Sequence, residues 1–190
     1  AVAVPTSSSA TGCHIEGMVT AAITDDPGFE GLWKYSITFQ WDTENGLSHA
    51  DVFLALSDCA CVCEAGLVQF PDPAAESLGE LPNGEECTSQ YVGEYLCMGD
   101  PTIPDAMNSP AVKYDAVLSE DGCEPGKTGV GYASFYSPLP PAPVNNLPDA
   151  IGVKAAGNTC LGDIVGQMPM CDCTVQNHLQ TWGEVKSTYR

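Results

Sequence analysis

The chain has 190 residues, and 44% of them are hydrophobic, which is enough for one domain with a buried core. Twenty-five acidic residues against six basic ones give a net charge of −19. Such a charge argues against binding to nucleic acid or to an anionic membrane surface, because both require clustered Lys and Arg. No run of residues approaches the ~20 consecutive apolar positions of a membrane-spanning helix.

Residues 1–12 are predicted to form an N-terminal arm. The arm is rich in Ser, as linkers are, whereas its first four residues are apolar and compatible with a β-strand: Ala1, Val2, Ala3 and Val4. The arm is therefore either a flexible terminus or a donor strand that pairs with the sheet edge of another copy. Because the chain begins without Met and contains many cysteines, we expect a mature secreted protein from which a signal peptide was removed.

The clearest β-strand is predicted at Trp33–Trp41, where five hydrophobic residues alternate with polar ones, so that one face is buried and the other is wet. Further strands are predicted at His14–Thr24, His49–Leu56, Cys61–Phe70, Cys87–Cys97, Val112–Leu118, Thr128–Tyr136, Ile151–Ala155 and Thr159–Val165. Turn-forming residues separate them, as at 82–84, 99–101 and 138–143. This spacing predicts an all-β domain at 13–173, an antiparallel β-sandwich that is Ig-like or jelly-roll-like and braced by disulfides.

The tail at 174–190 carries the one helical signal. Thr181 and Glu184 have the spacing of a capping box, and Trp182, Val185 and Tyr189 fall on one helical face. The pattern predicts a short helical turn, with Trp182 and Tyr189 docked on the sandwich or on a neighbouring copy. These two residues and the first four residues of the chain are the predicted assembly contacts.

The cysteine content predicts a disulfide framework and an extracellular or cell-surface location, because disulfides persist in oxidising compartments. The ten cysteines are Cys13, Cys59, Cys61, Cys63, Cys87, Cys97, Cys123, Cys160, Cys171 and Cys173. Pairing is not determined by sequence, but a bond between Cys87 and Cys97 would close a local hairpin.

Two clusters of cysteines allow a second interpretation. Cys59, Cys61 and Cys63 would share one face of a strand, and with Cys171 and Cys173 they could bind zinc or copper. However, a strand places such residues ~7 Å apart, which suits separate cross-links better than tetrahedral coordination. We therefore expect disulfides, which could join the two clusters to each other.

No catalytic constellation is recognisable, so the chain is not expected to be an enzyme. His49 and Asp51 would share a strand face without forming a triad, and no Gly-x-Ser-x-Gly motif occurs. A structural His49 is the favoured interpretation. Nothing marks a carboxylate pair for glycoside cleavage, and Trp33 and Trp41 fit a core face better than a sugar-stacking platform.

The acidic loop residues are interpreted as solvated carboxylates, with a loose calcium site as the alternative. The pairs considered are Asp25 with Asp26, Asp100 with Asp105, and Asp121 with Glu124. None of them matches the Asp-x-Asp-x-Asp-Gly calcium loop. Calcium is therefore the one cofactor that is considered, and no metal ligands are assigned from the sequence.

Several short segments resemble secreted bacterial β-sandwich domains of poorly assigned function. The segments are 35–39 (YSITF), 46–49 (GLSH), 111–114 (AVKY), 124–126 (EPG), 151–157 (IGVKAAG) and 162–166 (GDIVG). The tail at 182–190 (WGEVKSTYR) is similar to a terminal motif of other secreted bacterial proteins. The resemblance covers about residues 30–173 and implies a secreted, non-catalytic role at a surface or in a matrix.

Three functions are consistent with these patterns. The leading hypothesis is an extracellular structural protein that self-associates through its terminal arms into a filament, sheath or surface layer. The second is a secreted module that binds carbohydrate or cations, which predicts exposed aromatic residues in a groove or convergent loop carboxylates. The third, a secreted hydrolase, would require a cleft that gathers His49 or a pair of carboxylates.

Overall fold

The computed structural model describes residues 13–54, 68–104 and 109–170, which form strands, turns and loops without an α-helix. The ten strands are β1 Cys13–Ile23, β2 Trp33–Thr43, β3 His49–Phe53, β4 Ala75–Glu80, β5 Glu86–Leu96, β6 Ala111–Ala116, β7 Glu124–Pro125, β8 Thr128–Ser137, β9 Pro141–Ala155 and β10 Asn158–Pro169. These described residues include no helix that could span a membrane.

Nine of the strands close into a barrel, so the predicted β-sandwich is wrong. The strand order is β5-β6-β3-β9-β10-β1-β2-β8-β4, and β4 then pairs with β5 to complete the ring, while the short β7 is attached to β4. The pairings are antiparallel except for that of β1 with β10, which is parallel. Alternation in the sequence shows that each strand has a buried face, but a sandwich and a barrel share that pattern. Only the pairing between β4 and β5 distinguishes them.

The inside of the barrel is filled by large side chains. On β2, Tyr35, Ile37, Phe39 and Trp41 are each at most 3% exposed, which confirms the alternation predicted for this strand. Glycines on the neighbouring strand β8 leave space for these rings. A Cβ atom on Gly131, which lies opposite Phe39, would overlap the Phe39 ring. The barrel is therefore a packed core.

Two parts of the sheet differ from the predicted strands. β4 was not predicted, because its acidic and small residues (AESLGE) carry little hydrophobic signal even though they alternate between buried and exposed. β9 begins at Pro141, inside the segment that was assigned to a turn. The first half of β9 pairs with β10, whereas β3 pairs with β9 only at 151–154. The missing amide hydrogens of Pro141 and Pro143 therefore cost no hydrogen bond to β3.

Some predictions concern residues outside the described ranges. These are the arm at 1–12, the strand residues 55–56 and 61–67, Asp105, the two cysteine clusters and the helical tail with Trp182 and Tyr189. They remain predictions.

The disulfide framework is confirmed for the described cysteines. Cys13 on β1 is bonded to Cys160 on β10, and Cys87 on β5 is bonded to Cys123. Cys97 is also disulfide-bonded, so none of the five described cysteines is a free thiol. The predicted bond between Cys87 and Cys97 is wrong, because ten residues of extended strand place their Cα atoms ~33 Å apart.

Candidate metal centre

The outward face of β3 is buried under a loop. Ala50 and Val52 belong to the barrel core, so His49, Asp51 and Phe53 point to the outside of the wall. They are nevertheless at most 4% exposed, because the segment at 97–104 covers them. A polar group on this face is therefore withdrawn from water.

Ile103 anchors the covering segment through a small apolar cluster. It is fully buried and contacts Phe53 and Ala111, with Leu96 and Leu161 at the margin. Gly152 on β9 makes this approach possible, since a Cβ there would lie 3.1 Å from Phe53 and 3.2 Å from Ile103. This packing holds the neighbouring Asp100 against the wall of the barrel.

Three buried side chains converge beside this cluster: His49, Asp51 and Asp100. One potential ligand atom from each lies within 4.8 Å of the other two. Their exposed fractions are 4%, 0% and 1%. His49 and Asp51 are two residues apart on β3, whereas Asp100 reaches them from the covering segment. The group therefore joins a rigid strand to a loop.

Thr102 orients Asp100 and His49. Its backbone amide donates to Asp100 Oδ1 at 2.6 Å, and its hydroxyl oxygen lies 3.2 Å from His49 Nε2. The same Nε2 is 3.3 Å from Asp100 Oδ2. Nε2 is thus the imidazole atom that faces Asp100 and Thr102.

Lys113 and Asp115, both on β6, complete the polar cluster. The Lys113 ammonium lies 3.1 Å from Asp100 Oδ2 and 3.3 Å from Asp115 Oδ1. Asp115 is 40% exposed and approaches His49 Nδ1 at 3.7 Å. Three carboxylates and one ammonium give the cluster a formal charge of −2 when all four are ionised and His49 is neutral.

Asp51 has no hydrogen-bond partner. Neither of its carboxylate oxygens is bonded within the described residues. Burial, followed by the negative charge of Asp100, raises the pKa of Asp51 to about 8. An ionised carboxylate without a partner is costly to bury, so without metal Asp51 is mostly protonated at neutral pH, whereas a bound cation would stabilise its ionised form.

The other two side chains of the group are in the protonation states that metal ligation requires. Burial, and next the charge of Lys113, lowers the pKa of His49 to about 4, so its imidazole is neutral at neutral pH. Burial opposes ionisation of Asp100, but hydrogen bonds from Thr102 and Lys113 outweigh it and lower the pKa of Asp100 to about 2. A neutral imidazole and an ionised carboxylate can both donate an electron pair to a metal.

The donor set favours a first-row divalent metal such as Zn²⁺ or Mn²⁺. One imidazole and two carboxylates are borderline and hard donors, respectively, whereas Ca²⁺ prefers six to eight oxygen ligands. Three protein ligands leave room for water on a four-coordinate zinc. Asp115 lies on the Nδ1 side of His49, but at 3.7 Å it is too far away for the hydrogen bond by which an outer carboxylate orients a ligating imidazole.

The same residues are less suited to acyl transfer. Thr102, His49 and Asp115 follow the order of nucleophile, base and orienting acid. However, Asp100 also faces the Nε2 atom that would have to accept the Thr102 proton, and 3.7 Å between Nδ1 and Asp115 exceeds hydrogen-bond length. The covering segment also withdraws His49 from solvent.

The structure brings Asp100 next to His49 and Asp51, which are distant from it in the sequence. His49 and Asp51 share a face, as predicted, and His49 is buried. Asp100 was interpreted as a solvated loop carboxylate, which is wrong, because it lies under its own loop beside β3. The sequence did not indicate Lys113. The available signal was the spacing of Lys113 and Asp115, which are two residues apart on a predicted strand and therefore form a second polar pair on one strand face.

The remaining acidic pairs do not form such a group within the described residues. Asp26 accepts hydrogen bonds from Lys34 Nζ at 2.8 Å and from the Tyr136 hydroxyl at 2.7 Å. This contact fixes the loop between β1 and β2 on the barrel, and the Phe29 ring stacks on Tyr136 at 3.9 Å between centroids. Asp26 thus has a structural role.

A shallow groove of about 300 Å³ lies on another part of the outer surface. Lys34, Glu76, Tyr132 and Ser134 contribute side chains to it, and the Tyr132 side chain is 63% exposed. An exposed aromatic ring beside charged groups is the feature that the carbohydrate-binding hypothesis predicted.

Comparison with known proteins found no matching protein-family model and no matching curated protein. The resemblance to secreted bacterial domains therefore remains an expectation.

Proposed function

We propose that this chain is a secreted, disulfide-braced β-barrel module that binds a divalent transition-metal cation between His49, Asp51 and Asp100. The observation that carries the proposal is Asp51, a fully buried carboxylate that has no hydrogen-bond partner and faces an imidazole and a second carboxylate. Metal coordination is one of the few arrangements in which a buried charge is compensated.

The charge of the cluster supports the same proposal. With Asp51 ionised, as it would be when it binds a cation, Lys113 neutralises one of the three carboxylates, and the remaining formal charge of −2 matches a divalent cation. The metal would tie Asp100, and with it the covering segment, to the wall of the barrel. The expected role is therefore structural, as in sites where a metal contributes to folding.

Secretion is supported by the covalent bracing. Two described disulfides join residues 147 and 36 positions apart in the chain, and such bonds persist outside the reducing cytosol. The net charge of −19 is compatible with a protein that remains soluble there.

Titration of the purified, oxidised protein with Zn²⁺ by calorimetry tests the proposal. The wild type should bind one Zn²⁺, and Asp51→Asn should lose that site. The matched control is Asp42→Asn, which changes an exposed aspartate on β2 in the same way and should bind Zn²⁺ like the wild type. Equal Zn²⁺ binding by both variants would overturn the proposal.

Carbohydrate binding is a second candidate, favoured by the exposure of Tyr132 in the groove. The ring would stack on the apolar face of a sugar, while Lys34 and Glu76 would bind its hydroxyl groups. A glycan array compares wild type with Tyr132→Ala. Binding that the variant retains would exclude the groove as the site.

Self-assembly through Ala1–Val4, Trp182 and Tyr189 also remains a proposal. Closure of the barrel gives each of its nine strands a partner on both sides over part of its length, so a donor strand is not required to complete the sheet. Deleting residues 1–10 tests the arm. Unchanged sedimentation of the truncated protein would exclude it.

A further inference from the structure

Lys113 lies where a positive charge compensates part of the candidate metal site. Its ammonium is 3.1 Å from Asp100 Oδ2, an oxygen that also faces His49 Nε2. The Lys113 side chain is only 14% exposed. An ammonium in this position compensates the same carboxylate that a metal would bind.

Lys113 also contacts a second carboxylate farther out. Asp115 Oδ1 is 3.3 Å from the ammonium, and the Asp115 side chain is 40% exposed, compared with 1% for Asp100. The ammonium can therefore give up Asp100 without losing its only ion pair. A small movement of a flexible lysine side chain would suffice.

We propose that Lys113 is an internal counter-ion that competes with the metal for Asp100 and moves toward Asp115 when the metal binds. The proposal rests on the cation site proposed above. Without metal, the ammonium keeps the buried carboxylate paired and the covering segment closed. With metal, the two cations repel each other, and the nearby exposed carboxylate receives the displaced charge.

The arrangement makes metal affinity depend on residues that do not ligate the metal. Removing the Lys113 charge should tighten binding, because the metal no longer displaces a competitor. Removing Asp115 should weaken binding, because the ammonium then has Asp100 as its remaining partner among these carboxylates. Simple charge effects would give the same opposite signs, so a second lysine near the site serves as the reference.

Lys154 provides a matched control for Lys113. It pairs with His49 across β3 and β9, on the opposite side of β3 from Lys113, and its charge also lowers the pKa of His49. Replacing either lysine by Met removes one positive charge near the site. Only Lys113 forms an ion pair with Asp100 among the described lysines.

The experiment is Zn²⁺ titration calorimetry of the full chain at one pH and ionic strength. Lys113→Met should bind Zn²⁺ about tenfold or more tightly than wild type, and Lys154→Met should show a smaller change. Asp115→Asn should bind more weakly than wild type. Tightening that is equal in both lysine variants would overturn the competition, while the cation site itself would stand.

Three further outcomes are interpreted as follows. Failure of both wild type and Lys113→Met to bind Zn²⁺, with both folded, would overturn the cation site and the counter-ion role together. Folding of Lys113→Met only with Zn²⁺ would support the role, because the metal then replaces the ammonium. If Lys113→Met does not fold in either condition, Asp115→Asn decides: weaker binding supports competition, and equal or tighter binding overturns it.

Discussion

Asp51 lies directly opposite Lys113 in the antiparallel pairing of β3 with β6, yet the Lys113 ammonium contacts Asp100 and Asp115. The carboxylate of Asp51 is left without a hydrogen-bond partner. Cross-strand neighbours of opposite charge ordinarily pair with each other. This departure from the rule is one geometric basis of the proposed cation site.

Asp51→Asn should stabilise the metal-free protein. The substitution keeps the shape of the side chain and, at a pH above the Asp51 pKa of about 8, removes a buried charge, so the free energy of unfolding should rise by about 1–3 kcal/mol in that pH range. Chemical denaturation in the presence of a chelator measures it. Zn²⁺ should then stabilise the wild type but leave the variant unchanged. A less stable variant without metal would show that the carboxylate is satisfied in the fold.

Gly93→Ala should destabilise the barrel. The added Cβ would overlap the ring of Phe70, a partly buried residue that packs against the core, and overpacking of this kind costs about 1–3 kcal/mol. Gly157→Ala is the control, because a Cβ at that turn meets no atom within 4 Å. Thermal unfolding of both variants provides the measurement. Equal melting temperatures would contradict the packing of Phe70 against the core.

The two described disulfides should differ in their contribution to stability. Cys13 and Cys160 are 147 residues apart, whereas Cys87 and Cys123 are 36 apart. The longer loop loses more entropy in the unfolded chain, so replacing the first pair by Ser should cost about 1 kcal/mol more than replacing the second. Denaturation of the two double-serine variants measures the difference. A larger loss for the second pair would contradict the entropic account.

Acid should weaken the contact of Asp26 at low pH. The hydrogen bonds from Lys34 and then from Tyr136 lower the pKa of Asp26 to about 2. A lowered pKa means that the stabilisation is complete above the unfolded value of 3.8 and is lost as the pH falls through 2. NMR titration of the Asp26 carboxyl carbon measures the pKa. A midpoint near 3.8 would show that the contact is absent in solution.

The sequence predicted the buried faces of individual strands better than it predicted the closure of the barrel. Alternation at Trp33–Trp41 predicted an inward face, since that pattern depends only on the geometry of one strand. Closure depends on β4, whose Glu and Gly residues have weak β-propensity, and on its pairing with β5. A hydrophobic pattern does not encode such pairing.

In the candidate site, too, the strand face was predicted, whereas the packing of distant residues was not. Strand periodicity placed His49 and Asp51 on one face, but the burial of that face depends on Ile103 from a loop 50 residues later in the chain. Asp100 was interpreted as solvated, because loop aspartates usually are. Its burial follows from the packing of Ile103 against Phe53 and Ala111.

Anomalous diffraction from a crystal of the oxidised protein grown with Zn²⁺ tests the central claim most directly. We expect one strong zinc peak in contact with His49 Nε2 and the carboxylates of Asp51 and Asp100. The Lys113 ammonium should lie on the Asp115 side of that peak. Full-occupancy zinc at other residues only, with Asp51 still unpartnered, would contradict the account.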